Sequence, residues 1–243
     1  MISVYGYTDK GDREINEDAY IVLNDDKYVC CVLCDGLGGH GRGEVASAMV
    51  TEVFKTRFNA GIESPADFIE ETLQIAQNML MSEQAAQKAF DEMKTTATVV
   101  LVDKEKIYRG YIGDSRIYTF HSNRSWERTL DHSVPQMLVL AKDIKEKKIR
   151  NHPDRNRLLK VMGIKWDKPQ YHIEDVVEAK KCKALLLCSD GFWEFIDEKN
   201  MRRLLRKSVS VECWVNAMKD IAQKNGKGKN MDNNTAIGIW IEG

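Results

Sequence analysis

The chain has 243 residues, enough to bury a substantial core, and its 36 basic and 37 acidic residues nearly cancel. That balance argues against a general nucleic-acid or membrane-surface binder. The opening M-I-S-V-Y-G-Y-T-D-K has no apolar core of signal-peptide length, and no later run approaches the ~18 apolar residues of a membrane span, so a soluble cytoplasmic protein is expected.

No Pro/Gly/Ser-rich linker or composition shift divides the chain, which reads as one domain. Residues 2–8 and 19–23 alternate apolar and polar side chains and predict half-buried strands. Residues 28–34 are apolar throughout, as a strand covered on both faces would be. A glycine loop follows. Residues 44–58 then place Val45, Met49, Val53 and Phe54 at helical spacing, with Gly61 as a stop. Ser64-Pro65-Ala66-Asp67 opens a second helix, predicted to run to about Met93.

Residues 95–102, 107–112 and 116–120 are β-rich and predict a meander, which 129–133 closes. Residues 134–150 predict two short helices with a charged face, and the polar segment 151–163 completes a flap over a site. The lysines and arginines from Lys142 to Arg157 read as a solvated face, or as a patch steering acidic phosphorylated segments. Residues 171–177 alternate again, 184–188 form a second continuous apolar run, and 198–207 and 211–225 predict helices. The last strand, 235–241, carries Ile237, Ile239 and Ile241 on one face. Helix pairs between antiparallel strands predict an α+β fold, with sheets in the middle and helices outside.

Six cysteines invite a zinc or disulfide reading, and Cys31-Val32-Leu33-Cys34 matches C-x-x-C. A zinc site needs a second ligand pair, whereas Cys30, Cys31, Cys34 and Cys188 lie in aliphatic runs, where thiols serve as small hydrophobes.

The chemistry lies in the acids. Both apolar runs end in Asp-Gly, at Asp35-Gly36 and Asp190-Gly191, and Asp232 precedes the final strand. Brought together, these carboxylates would repel unless cations offset them, and oxygen-only ligands select Mg²⁺ or Mn²⁺. Taken singly, each Asp-Gly reads as ordinary turn chemistry. Glu17 and Asp18 add two adjacent carboxylates, and Arg13 supplies a guanidinium able to hold phosphate bidentately. The glycine loop could instead cradle a nucleotide, but it lacks the G-K-[ST] ending of a P-loop.

The stretches R-E-I-N-E-D (13–18), C-D-G-L-G-G-H-G (34–41), T-T-A-T (95–98), G-D-S-R (113–116), D-H-S (131–133), S-D-G-F-W-E (189–194) and D-N-N-T (232–235) together resemble the ordered motifs of the metal-dependent protein serine/threonine phosphatases of the 2C type, in their compact bacterial form. The resemblance implies a four-layer α-β-β-α sandwich of two central antiparallel sheets flanked by helix pairs, in one catalytic domain with a flap at about 134–163. It implies a site of two Mn²⁺ or Mg²⁺ ions. Asp35 would bridge them, Asp190 and Asp232 would serve the first, and the Gly36 carbonyl with the Glu17/Asp18 pair would serve the second. Asp114, with Asp190, matches a third-metal position, and Arg13 matches the phosphate-binding arginine.

Two metals ~3.5 to 4 Å apart activate a water for in-line attack on phosphorus, so no phosphoenzyme is needed. The expected substrates are phosphoserine and phosphothreonine in proteins phosphorylated by a Ser/Thr kinase, and a monomer is expected. Some members carry a proposed general-acid histidine directly after Asp-Gly; here Leu37 stands there, and that role does not pass to His40. His132 and the remaining histidines lack metal-ligand spacing and read as structural or exposed. The rival class is a catalytically silent homologue that binds phosphoproteins or a partner without hydrolysis.

Overall fold

The computed structural model of the protein describes residues 1–37, 41–89, 92–122 and 125–241. Strands β1 (Ile2–Asp9), β2 (Asp18–Asn24) and β3 (Val29–Leu37) precede helices α1 (Gly43–Asn59) and α2 (Pro65–Gln87). Next come β4 (Lys94–Thr95), β5 (Ala97–Val102), β6 (Lys106–Ile112), β7 (Arg116–Phe120) and β8 (Trp126–Arg128), then α3 (Val134–Leu140) and a 3-10 turn at Glu146–Asn151. The chain continues with β9 (His172–Ile173), β10 (Val177–Glu178), β11 (Ala184–Cys188), the short α4 (Asp190–Trp193), α5 (Glu198–Lys207), α6 (Val211–Gly226) and β12 (Asn234–Ile241).

Two antiparallel sheets stack in the middle. One runs β1-β12-β11-β7-β8, the other β10-β6-β5-β3-β2, with β4 added to β3 and β9 to β6. Val50, Phe54, Leu73 and Leu80 of α1 and α2 pack on the second sheet. Met201, Trp214 and Met218 of α5 and α6 pack on the first. Leu33, Val100, Ile117, Leu187 and Ile237 fill the space between the sheets. This is the expected α-β-β-α order.

The layering explains why β3 and β11 are apolar without alternation. Cys30, Val32 and Cys34 face the helices, while Cys31 and Leu33 face the other sheet. Leu186 and Cys188 likewise face α5 and α6, and Leu185 and Leu187 point inward. Buried on both sides, such strands have no polar face to show. The thiols serve as packing: Cys30, Cys31, Cys34, Cys182 and Cys188 are buried and free.

Several expectations need correction. The run from 95 to 120 is not a meander. β5 and β6 pair with each other, whereas β7 pairs with β11 in the opposite sheet. The chain changes sheets at Gly113, which adopts the left-handed φ of 103° that glycine tolerates best. On α1 the buried face is Ala46, Val50, Val53, Phe54 and Phe58, and Val45 is exposed, because the small Ala46 lets the helix sit close on β3. Helix α2 ends at Gln87, where Lys88 turns left-handed. The buried Gln84 amide takes over from the helix there, donating to the carbonyls of Met93 (2.8 Å) and Gly163 (2.7 Å).

The segment 134–163 is tied down at its ends by bridges pairing Ser133 with Leu158 and Thr95 with Met162. Its cations are not all solvated. Arg150 donates to Glu198 at 2.5 Å and Arg155 to Glu194 at 2.6 Å, which fastens the segment to α5 and to the end of α4. Lys142, Lys145, Lys147, Lys148 and Arg157 remain exposed.

The sheet crossing depends on His132. Its N–H donates to the Gly113 carbonyl (2.9 Å), its Nδ1 accepts from the Gly113 N–H (3.2 Å), and its ring stacks on Tyr111 at 4.9 Å. Burial, reinforced by Lys160 and His172, lowers its pKa to about 4. The neutral ring is therefore the folded form, and its contribution to stability is present above the unfolded value near 6.5 and lost as pH falls through about 4. Discounted for its partial exposure, this amounts to about 2 kcal/mol. Urea unfolding of wild type and His132→Gln at pH 7.5 and 4.5 should show the wild type losing about that much more than the variant; an equal loss in both would refute it.

Candidate functional site

A cavity of about 530 Å³ opens at one rim of the sandwich, lined by Arg13, Glu17, Asp35, Gly36, Asp114, Asp190 and Asp232, with Ile15, Leu37, Asn156 and Leu158 among its walls. Its acids come from both sheets. Asp35 lies near the end of β3, opposite Asp18 in β2. Asp190 starts α4 directly after β11, and Asp232 precedes β12. β11 and β12 are neighbours, as an in-sheet convergence requires, but β3 is in the other sheet. Face-to-face stacking completes the group.

The two Asp-Gly pairs are places of close approach rather than hairpin turns. A Cβ on Gly36 would lie 2.4 Å from the Gly43 carbonyl oxygen and 2.6 Å from that of Glu17. On Gly191 it would lie 2.2 Å from the Asn233 carbonyl oxygen. Any larger residue would push apart the backbones that carry the acids.

Asn233 organises the loop before β2. Its Nδ2 donates to the carbonyls of Lys10 and Ile15, each at 2.9 Å, and its Oδ1 accepts from the Glu17 N–H at 2.8 Å. The segment bearing Arg13 and Glu17 is thereby bound to the segment bearing Asp232. Arg13, half-exposed, donates to Asp232 Oδ2 at 2.7 Å.

The electrostatics are those of like charges held together. Burial first, then repulsion from Asp18, Asp190, Asp114 and Asp232, drives the Asp35 carboxyl well above the ordinary range. Burial and then Asp114, Glu194, Asp232 and Asp18 do the same to Asp190. Burial lifts both Asp18 and Asp114 to about 7; beside Asp114, Asp131 adds to the rise and Arg116 opposes it. Glu17 lines the cavity, whereas Asp18 is buried behind it, with Oδ2 accepting from the Ser189 hydroxyl at 2.8 Å. Asp18 Oδ1 is buried with no hydrogen-bond partner. An orphaned carboxylate oxygen is costly, and a nearby cation would relieve it. As the side chains stand, no group of three or more His, Cys, Asp or Glu among the described residues is arranged to hold a metal ion. Asp232 is drawn to Arg13 and Asp18 to Ser189 instead. The donor set is nonetheless all oxygen, and it fits a hard divalent cation.

Every acid singled out in the sequence reaches the cavity or, for Asp18, its back wall. Asn156 and Leu158, which line it from the 134–163 segment, were not singled out as site residues, since nothing local marks them. Asn233 and Glu194 stood within motifs already noted. His40, Gly38 and Gly39 lie outside the described residues.

The chain and its fold have relatives among known proteins. The family profile described as Protein phosphatase 2C matches residues 5–224. A putative protein phosphatase 2C-type of Streptococcus pyogenes serotype M6 is 31% identical over 227 residues, covering 90% of each chain. The serine/threonine phosphatase stp of Listeria innocua serovar 6a is 28% identical over 207 residues, covering 82% of this chain and 81% of that one. The solved structure of serine/threonine phosphatase Stp1 from Staphylococcus aureus superposes with a TM-score of 0.91 at 31% identity, over 100% of this chain and 96% of that one. A profile match over most of the chain, together with that structural likeness, makes this protein a member of the protein phosphatase 2C family.

Proposed function

We propose that the protein is a Mg²⁺- or Mn²⁺-dependent phosphatase that hydrolyses phosphoserine and phosphothreonine in proteins, reversing the action of a Ser/Thr kinase. The observation that carries this is the gathering of Glu17, Asp35, Asp114, Asp190 and Asp232 with one guanidinium around a single cavity. Asp35 would be shared by two ions, Asp190 and Asp232 would complete the first site, and the Gly36 carbonyl and Glu17 the second. Asp18 would act from behind Glu17, and Asp114 with Asp190 would hold a third. Bound cations would supply an ionised water at neutral pH and offset the charge that develops on the phosphoryl oxygens.

The chain's own groups do the rest. Arg13, which pairs with Asp232 while no cation competes for that carboxylate, would turn its guanidinium to two phosphate oxygens. Ile15, Leu37 and Leu158 form the apolar part of the wall that meets the substrate. Leu37 can donate no proton, so the side chain directly after Asp35-Gly36 plays no part in protonating the leaving group. Residues 134–163 act as a flap of the same catalytic domain. The protein works as a cytoplasmic monomer on phosphoproteins. A silent binding module is disfavoured, since keeping these carboxylates buried without a cationic partner has a cost that binding alone does not offset.

In a hydrolysis assay on an aryl phosphate and a phosphothreonine peptide with Mn²⁺, chelator should abolish wild-type turnover and Asp190→Asn should lower it roughly 100-fold or more. Turnover that survives chelation in pure protein would overturn the assignment. Arg13→Ala should raise KM for the aryl phosphate roughly tenfold with a smaller fall in kcat, and an unchanged KM would remove Arg13 from phosphate binding. Reversing Lys142, Lys145, Lys147 and Lys148 to Glu should slow phosphoprotein turnover several-fold at low salt and flatten its salt dependence. No change in either would leave these lysines without a steering role.

A further inference from the structure

The T-T-A-T stretch (95–98) touches the backbone around two of the site's acids, Asp35 and Asp114. Thr96 is fully buried. Its N–H donates to the Asp35 carbonyl at 2.9 Å, and its Oγ1 accepts from the Asp35 N–H at 3.0 Å. The preceding Thr95 adds a hydroxyl donated to the same Asp35 carbonyl at 2.9 Å. The peptide on either side of the Asp35 side chain is thus held by one neighbour.

The same Thr96 side chain grips Asp114 from both flanks. Its Oγ1 shares a hydrogen bond of 2.9 Å with Ser115 Oγ, one residue after Asp114. Its methyl group fills the space over Gly113, one residue before, so that a Cβ there would lie 2.5 Å from Thr96 Cγ2. Gly113 is where the chain leaves one sheet for the other, and no regular ladder fixes the orientation of such a crossing. Two further contacts restrain it: His132, on the Gly113 peptide, and Trp193, whose Nε1 donates to the Asp114 carbonyl at 3.1 Å. Only Thr96 touches both the Asp35 backbone and the Asp114 turn among the contacts described.

We propose that Thr96 is a positioning residue that fixes Asp114 relative to Asp35, and so sets the spacing of the carboxylates that take up divalent cations. This rests on the metal-dependent reading of the site. Losing the hydroxyl would leave the Asp35 N–H and the Ser115 hydroxyl without their partner, and the Asp114 turn would be free to rotate away from Asp35. Groups that orient metal-binding side chains in this way commonly change affinity tenfold to 100-fold when removed.

The test compares wild type, Thr96→Val, Thr96→Ser and Ser115→Ala by calorimetric titration with Mn²⁺, alongside thermal unfolding and the Mn²⁺ dependence of aryl phosphate turnover. Thr96→Val should fold, bind Mn²⁺ about tenfold more weakly at one or more sites, and need correspondingly more Mn²⁺ for half-maximal turnover. Thr96→Ser, which keeps the hydroxyl but loses the methyl over Gly113, should recover most of the affinity that Thr96→Val loses. Ser115→Ala breaks only the Asp114 half of the link and should weaken Mn²⁺ binding while keeping the fold. It decides the matter if Thr96→Val does not fold. Wild-type Mn²⁺ affinity and stoichiometry in Thr96→Val, or in Ser115→Ala if the valine variant is unfolded, would overturn the role of Thr96. A wild-type protein that takes up no Mn²⁺ would overturn the reading of the site, and with it this inference.

Discussion

Like charges buried together are the constraint on which this structure turns. Asp18 and Asp114 are buried, Asp35 and Asp190 are half-buried at the cavity wall, and burial together with repulsion from neighbouring acids raises the cost of ionising each of them. Such a group persists only where the backbone is held too firmly for the acids to separate. The stacked sheets supply that rigidity. Gly36 and Gly191 admit neighbouring carbonyls where no side chain would fit, and Asn233 binds the loop before β2 to the segment before β12. The rim is therefore assembled from backbone-to-backbone approaches, which bring together acids that no single element carries.

A second network lies directly behind the first and has the opposite character. Arg116 is buried, donates to both oxygens of Asp131, at 2.8 and 2.6 Å, and lies 3.4 Å over the Trp193 ring. Arg128 reaches the same Asp131 at 3.1 Å. Here each charge has its counterpart, and planar guanidinium groups satisfy the carboxylate in the bidentate geometry that suits a buried pair. Trp193 links the two networks, with its ring under Arg116 and its indole N–H on the Asp114 carbonyl. The paired charges stiffen the floor on which the unpaired ones stand.

How much of this could be read beforehand follows from what kind of interaction carries each feature. Strands covered on both faces were legible at 28–34 and 184–188, because burial on two sides erases alternation. The acids were legible because each ends an apolar run or flanks one. The sheet change at Gly113 was not, because short β-rich runs separated by Gly-Asp-Ser look the same whether the next strand pairs beside the last or across the sandwich. On α1, helical spacing of the larger apolar residues points to Val45, but the buried position is the neighbouring Ala46, a small residue that no pattern of bulky side chains marks. Asn156 and Leu158 reach the cavity through tertiary placement of an irregular segment, and no periodicity encodes that. α2 stops at Gln87, where Lys88 turns left-handed and the Ala89 N–H closes on the Gln84 carbonyl, a break that no glycine or proline marks in the local sequence.

The pairing of β1 with β12, Ile2 opposite Ile241, has a consequence for biosynthesis. β1 and the segment bearing Arg13 are made long before β12 and the Asn233 side chain that anchor them. Contacts so distant in sequence form slowly, since the loop they close must be ordered before they contribute. On the ribosome, α1 and α2 can pack on the sheet built around β3 well before β12 exists. The five-stranded sheet, with Asp190 and Asp232 at the ends of its inner strands β11 and β12, must wait until β12 has been made. Until β12 is made, a nascent chain carries half a sandwich with an open apolar face, and the acids of the rim meet only once the two sheets have stacked.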